Sequence, residues 1–230
     1  MVLRRLVLLF FFLRFSIFTL IAQESEPIRD LPLQYSDSHG SNSTLVIYVT
    51  GDGGWNSFNQ SLVQELASRG YGVVALNSRK YFWSEKTPEN FATDIETLTG
   101  YYLKEWKKSS VIIIGYSFGA DVVSFLPSRI SPVLLRLITK IVLISPSSST
   151  DFVIRISDLV GDGENLNRKY KVAPEIEAVV LPVICTFGMD EAKALKDGLK
   201  NKTNHTLIKL PGDHRYNNDF RAIIKQVETH

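Results

Sequence analysis

Ile113-Ile114-Gly115-Tyr116-Ser117-Phe118-Gly119-Ala120-Asp121 decides the reading of this chain, because it sets a Gly-x-Ser-x-Gly between an apolar strand and a helix. Val111 to Ile114 is apolar throughout, the mark of a strand buried on both faces. A serine at a sharp strand-to-helix turn stands clear of the sheet, and glycines two residues to either side let neighbouring backbone approach. Ser117 is therefore the candidate nucleophile. Such a serine needs a base, an acid and donors for an oxyanion.

Outward from this turn, strand-like runs and helix-like segments alternate from about residue 31 to the end. The alternation predicts an α/β fold, a mostly parallel sheet with helices on both faces. Leu45 to Val49 reads as the first strong strand, with Leu31 to Tyr35 a short partner joined to it through the turn-rich Ser36 to Ser43. Phe58, Leu62, Leu66 and Ala67 recur at helical spacing, and Gly70 closes that helix. Gly72 to Leu76 is the second main strand. Thr87-Pro88 opens a helix whose stripe of Phe91, Ile95, Leu98, Tyr102 and Trp106 packs on the sheet.

Beyond the Ser117 turn the pattern predicts a helix to about Ser128 and a strand over Ile141 to Ile144. Residues 145 to 180 lack sustained periodicity, so they read as an irregular excursion over the strand ends, without a large lid. The last units are a strand over Val183 to Phe187, a helix near Ala192 to Leu199, a strand over Thr206 to Leu210 and a helix from about Asn218 to Val227.

The chain of 230 residues, 44% hydrophobic, suffices for one domain with a sizeable core. Its first 22 residues differ from the rest. Arg4 and Arg5 precede an apolar stretch interrupted by Arg14 and ending at Ala22, which reads as a secretory signal peptide. The stretch is only marginally long enough for the alternative, a retained membrane anchor. Residues 23–30 then form a polar linker, and 31–230 the folded domain. Without Arg4, Arg5 and Arg14 the chain carries 23 basic against 24 acidic residues, so its charge gives no case for nucleic-acid binding. The single cysteine, Cys185, sits in an apolar run and reads as a small buried hydrophobe.

In a sheet of this kind the triad acid follows a late strand and the base follows the last one. Gly188-Met189-Asp190-Glu191 and Pro211-Gly212-Asp213-His214 occupy those two places. His214 is the candidate base. Its rivals are less well placed: His39 lies in a turn, His205 precedes the last strand and His230 is terminal, positions that suit solvated side chains. The acid is Asp190 or Glu191, Asp190 having the commoner residue type and Glu191 the commoner spacing; Asp190 is narrowly preferred, and the other member of the pair caps the next helix. For the oxyanion, the Phe118 N–H and an amide at Asp52 or Gly53 in Gly51-Asp52-Gly53-Gly54-Trp55 are the candidate donors. No Gly-Lys-Ser/Thr follows those glycines, which excludes a P-loop. Should Asp52, Glu85 and Asp121 converge, they favour a cationic group at the mouth. No cofactor or metal is expected.

Thr50 to Trp55, Tyr81-Phe82-Trp83-Ser84-Glu85-Lys86-Thr87-Pro88-Glu89, Gly115 to Asp121, Gly188 to Glu191, and Leu210 to His214 together resemble the bacterial virulence protein VirJ family, which includes the C-terminal domain of AcvB, within the α/β-hydrolase superfamily. The resemblance implies an α/β-hydrolase fold and a periplasmic serine hydrolase acting on aminoacylated phosphatidylglycerol, notably the lysyl form, with peripheral membrane contact. It implies attack by Ser117 on the aminoacyl ester, and a pocket drawn from Trp55, Tyr81, Trp83 and Asp121, with core packing the competing role for the Tyr81 to Trp83 segment. Where the family usually carries Gly-His-His-Phe-Asp, this chain has Asp213-His214-Arg215-Tyr216-Asn217. The base is kept and its neighbour replaced, which bears on substrate preference. Another small ester is an alternative substrate. The alternative function is an envelope binding or secretion-assisting module on the same fold.

Overall fold

The computed structural model describes residues 28–36, 39–155, 167–199 and 203–229. The signal peptide and most of the linker expected before residue 31 lie outside them, as does His230. The strands, in chain order, are Leu33–Tyr35 (β1), Thr44–Val49 (β2), Gly72–Leu76 (β3), Ser110–Tyr116 (β4), Ile138–Ile144 (β5), Ser149–Thr150 (β6), Tyr170–Lys171 (β7), Val183–Gly188 (β8) and His205–Leu210 (β9). Seven make one sheet in the order β1-β3-β2-β4-β5-β8-β9, parallel except for β1, which runs antiparallel to β3. β6 and β7 form a separate antiparallel pair.

The apolar runs are the inner strands because both of their faces are covered. In β2, Leu45, Ile47 and Val49 enter one core while Val46 and Tyr48 enter the other, the two-residue alternation of a pleated strand. Phe91, Ile95 and Leu98 of helix Pro88–Glu105 cover the first face. Leu62 and Leu66 of helix Ser57–Ser68, with Ile223, Ile224 and Val227 of helix Phe220–Thr229, cover the second. Each such side chain contributes about 1.5–3 kcal/mol on burial. Helices on both faces follow.

Local signals set the boundaries. Asn56 accepts from the Asn59 N–H at one helix start, and Thr87, followed by Pro88, accepts from Asn90 at another. The helix after Ser117 ends at Val123 rather than near Ser128. There the ladder tightens to i→i−3 bonds, Phe125 N–H to Val122 O and Leu126 N–H to Val123 O, and Pro127 cannot continue it.

Other expectations are corrected. Leu33–Tyr35 pairs with β3 and not with β2, so the turn at 36–43 is no hairpin between sheet neighbours. The stretch 145–180 contains helix Val172–Ala178 as well as β6 and β7. His205 is buried, its Nε2 lying 3.0 Å from Val179 O, rather than solvated. Cys185 is buried as expected, and burial pushes its thiol up to about 12.

Candidate active site

β4 delivers Ser117 at the C-terminal edge of the sheet, where open α/β sheets place their sites. The Ser117 backbone is strained, with φ 53° and ψ −121°, a conformation that costs about 1–3 kcal/mol in a non-glycine residue. The surroundings impose it. Ser117 N–H donates to Ile144 O on β5, while Ser117 O accepts from Ala120 and Asp121 N–H and so opens the next helix. Gly119 makes this packing possible: a Cβ there would lie 2.1 Å from Val49 O.

The loop after β9 brings in the base. His214 Nε2 stands 3.0 Å from Ser117 Oγ. The loop after β8 lies alongside, tied by Met189 N–H to Leu210 O and Asp190 N–H to Gly212 O. Glu191 turns inward from it, and its Oε1 is 2.5 Å from His214 Nδ1. Its Oε2 accepts from Gly188 N–H at 2.6 Å and from Ser145 Oγ at 2.9 Å. Burial alone would raise the Glu191 pKa, but the hydrogen bonds and charge of His214, with those two donors, outweigh it and hold the carboxyl below its usual range. With Nδ1–H donated to the carboxylate, Nε2 presents its lone pair to the serine hydroxyl.

Asp190 is exposed, and it is Glu191 that pairs with the imidazole. The preference for it over Glu191 is therefore corrected. Behind Glu191 the Ser145 hydroxyl also meets Tyr216 OH at 2.5 Å, and Tyr216 OH donates to Thr186 O at 3.0 Å. Tyr216 belongs to three successive left-handed residues, Tyr216, Asn217 and Asn218, with φ between 51° and 58°.

Of the oxyanion candidates, Gly53 N–H is taken by the Asp52 carboxylate at 2.8 Å, and Gly54 N–H by Gly51 O. The Asp52 and Phe118 amides remain the candidate pair. Gly51 backs onto the nucleophile, since a Cβ on it would stand 3.3 Å from Ser117 Cβ, so Asp52 begins beside the site.

The expected pocket residues separate. Tyr81 is core: its ring packs on Phe82 and Phe91, its hydroxyl bonds Asp94, and burial followed by that bond raises its pKa. Phe82, fully buried, meets Phe118 edge to face at 5.0 Å. Trp83 is 57% exposed and lines an open pocket together with Trp55. Asp121 is buried, and its carboxylate receives the Ser147 N–H at 2.5 Å, so it braces the loop after β5 instead of lining a mouth. Glu85 is exposed, and its charge acts on Lys169. The acidic convergence of Asp52, Glu85 and Asp121 is not formed. Among the described residues no cluster of three or more His, Cys, Asp or Glu is placed to hold a metal ion. Arg79 and Lys80, beside Trp55 and Trp83 in that pocket, were missed by sequence reasoning; their one signal is adjacency to the aromatic segment.

Comparison with known proteins bears on this arrangement. The family model described as bacterial virulence protein (VirJ) matches residues 43–230. No curated protein gives a significant match. Among solved structures, Est1E from Butyrivibrio proteoclasticus is similar at 16% identity and TM-score 0.61, over 85% of this chain and 90% of that one. A lipase-esterase related protein from Clostridium acetobutylicum aligns at 14% identity and TM-score 0.61, over 86% and 98% of the two chains. A hydrolase from Oleispira antarctica, olei00960, aligns at 14% identity and TM-score 0.60, over 89% and 97%. The shared fold is that of the α/β-hydrolases.

Proposed function

The chain belongs to the bacterial virulence protein VirJ family, and from that membership and the site geometry we propose that it is a serine ester hydrolase of the periplasm acting on aminoacylated phosphatidylglycerol. One observation carries the chemical part: Ser117, His214 and Glu191 form a continuous hydrogen-bonded chain. Ser117 Oγ attacks the ester carbonyl while His214 Nε2 takes its proton. Glu191 holds the ring in the correct tautomer and stabilises the imidazolium. The amides of Phe118 and Asp52 receive the oxyanion, in the part of the site where such donors are worth most. Collapse breaks the bond to the alcohol, which leaves with the proton from His214. Water, activated in turn by His214, then frees the acyl group from Ser117.

The lipid substrate rests on the family resemblance, and the periplasmic location on the leader read in residues 1–22. A fluorophosphonate probe tests the chemistry: labelling of wild type that disappears in Ser117→Ala is expected, and unlabelled wild type overturns it. Lysyl-phosphatidylglycerol offered beside a simple acyl ester tests the substrate, and equal or better turnover of the simple ester removes the lipid assignment. A mature protein beginning near Gln23 in the periplasmic fraction is the expected location result. A retained leader in the cytoplasmic fraction refutes it.

A further inference from the structure

A pocket of about 520 Å³ opens beside the glycine-rich turn, lined by Gly53, Trp55, Asn77, Arg79, Lys80 and Trp83. None of these side chains takes part in the ester chemistry above. Arg79 and Lys80 are both exposed, and neither head group has an acidic partner among the described residues. Two adjacent unpaired cations make a ready receptor for an oxyanion with several acceptor oxygens. Trp83, more than half exposed, and Trp55 add flat apolar walls of the kind that bind an organic portion with one wet end. The wall is rigid. Gly54 holds φ 66°, and a Cβ on it would stand 2.6 Å from Asn77 Oδ1 and 2.8 Å from Arg79 Cβ, so the turn is pressed against the segment that carries the cations.

The pocket is also close to the nucleophile. Gly54 N–H donates to Gly51 O, closing a turn whose ends lie within about 7 Å of each other. Gly51 at one end touches Ser117, and Gly54 at the other forms the pocket wall. A substrate with its ester at Ser117 can therefore extend over the turn into the pocket.

We propose that this pocket is the subsite for a phosphate-bearing portion of the ester substrate, with Arg79 and Lys80 on the phosphate and Trp55 and Trp83 against the adjoining organic part. The assignment deepens the hydrolase reading and rests on it for the position of the ester. Phosphate of this kind comes from a phospholipid head group or from a soluble phosphate ester, and the chemistry of recognition is the same.

Binding and turnover are measured separately. In Ser117→Ala protein, tryptophan fluorescence is followed on titration with glycerol phosphate, with vesicles of phosphatidylglycerol and with vesicles of phosphatidylcholine. The expected result is a change with glycerol phosphate that is reduced in Trp83→Phe, weakened at least tenfold in affinity in Arg79→Ala/Lys80→Ala, and kept in the charge-keeping Arg79→Lys/Lys80→Arg. A response to phosphatidylglycerol vesicles alone, with the same dependence on the variants, assigns the phosphate to a lipid source. No response to either ligand, or equal binding by the double alanine variant, overturns the subsite.

In protein with Ser117 intact, the kcat/KM ratio of a phosphate-bearing to a neutral ester of the same acyl group should fall at least tenfold in the double alanine variant. An unchanged ratio also overturns it. If no ester is hydrolysed while the binding results hold, the hydrolase reading fails and the anion site stands. If esters are hydrolysed and the binding fails, the pocket assignment falls alone.

Discussion

The Tyr116 hydroxyl donates to the main-chain oxygen of His214 at 3.1 Å, and the two rings lie 5.2 Å apart. The residue before the nucleophile thus holds the residue that supplies the base. Tyr116 is buried in the second core, against Phe58, so its ring position is fixed before the hydroxyl is considered. Removal of the hydroxyl in Tyr116→Phe should lower kcat on a soluble ester about two- to tenfold, the worth of one ordinary hydrogen bond. Steady-state kinetics alongside a thermal melt check this, and unchanged kcat contradicts it.

Glu191 and Asp190 are neighbours with opposite surroundings. Loss of the acid in Glu191→Gln should cost about 10³–10⁴-fold in kcat, through a wrongly oriented imidazole, whereas Asp190→Asn should stay within about twofold of wild type. The reverse order would move the acid to Asp190.

The lowered pKa of Glu191 carries a pH dependence of stability. A carboxylate favoured in the folded state contributes stability above its unfolded value, near 4.5, and loses it as pH falls through the folded value. Denaturant unfolding of wild type and Glu191→Gln should therefore differ above about pH 4.5, and the two should converge in more acid solution. A gap that widens on acidification contradicts the assignment.

Gly119 and Gly100 make a matched pair. Ala at 119 meets Val49 O at 2.1 Å, so Gly119→Ala should lose more than about 3 kcal/mol or fail to fold. Ala at 100, inside helix Pro88–Glu105 with nothing within 4 Å of its Cβ, should gain about 0.5–1 kcal/mol. Chemical denaturation of both variants checks the contrast.

The Tyr216 hydroxyl is shared by Ser145 and Thr186 behind the acid. Tyr216→Phe leaves the Ser145 hydroxyl with Glu191 alone and should cost about 1–2 kcal/mol by denaturation. Its kcat should fall less than that of Glu191→Gln.

The parallel strands and the place of Ser117 are legible in the sequence because burial on both faces leaves uninterrupted apolar runs. Val111 to Ile114 needs no partner to be recognised. His214 is legible from its place in the order, in the loop after the last strand-like segment, Thr206 to Leu210. What escapes is whatever long-range contact decides. Glu191 and Asp190 differ in role because Ser145, 46 residues earlier, and the Gly188 amide reach one of them and not the other. Asp121 resembles a residue at a mouth until Ser147 is seen to occupy it. β1 chooses β3 across some 40 residues, and no local pattern encodes that choice. Helix Val172–Ala178 has no side-chain cap at its start, and Pro174 near that end hides what periodicity there is.

The nucleophile rides on β4, flanked by strands on both sides, while the base follows β9, which among the described residues has a neighbour on one side only and leaves most of its residues half-buried or exposed. Margins of sheets open at lower cost than their centres. Gentle heating should consequently inactivate the protein reversibly at temperatures where its far-ultraviolet dichroism is still native, so a calorimetric midpoint would overstate how long it keeps working.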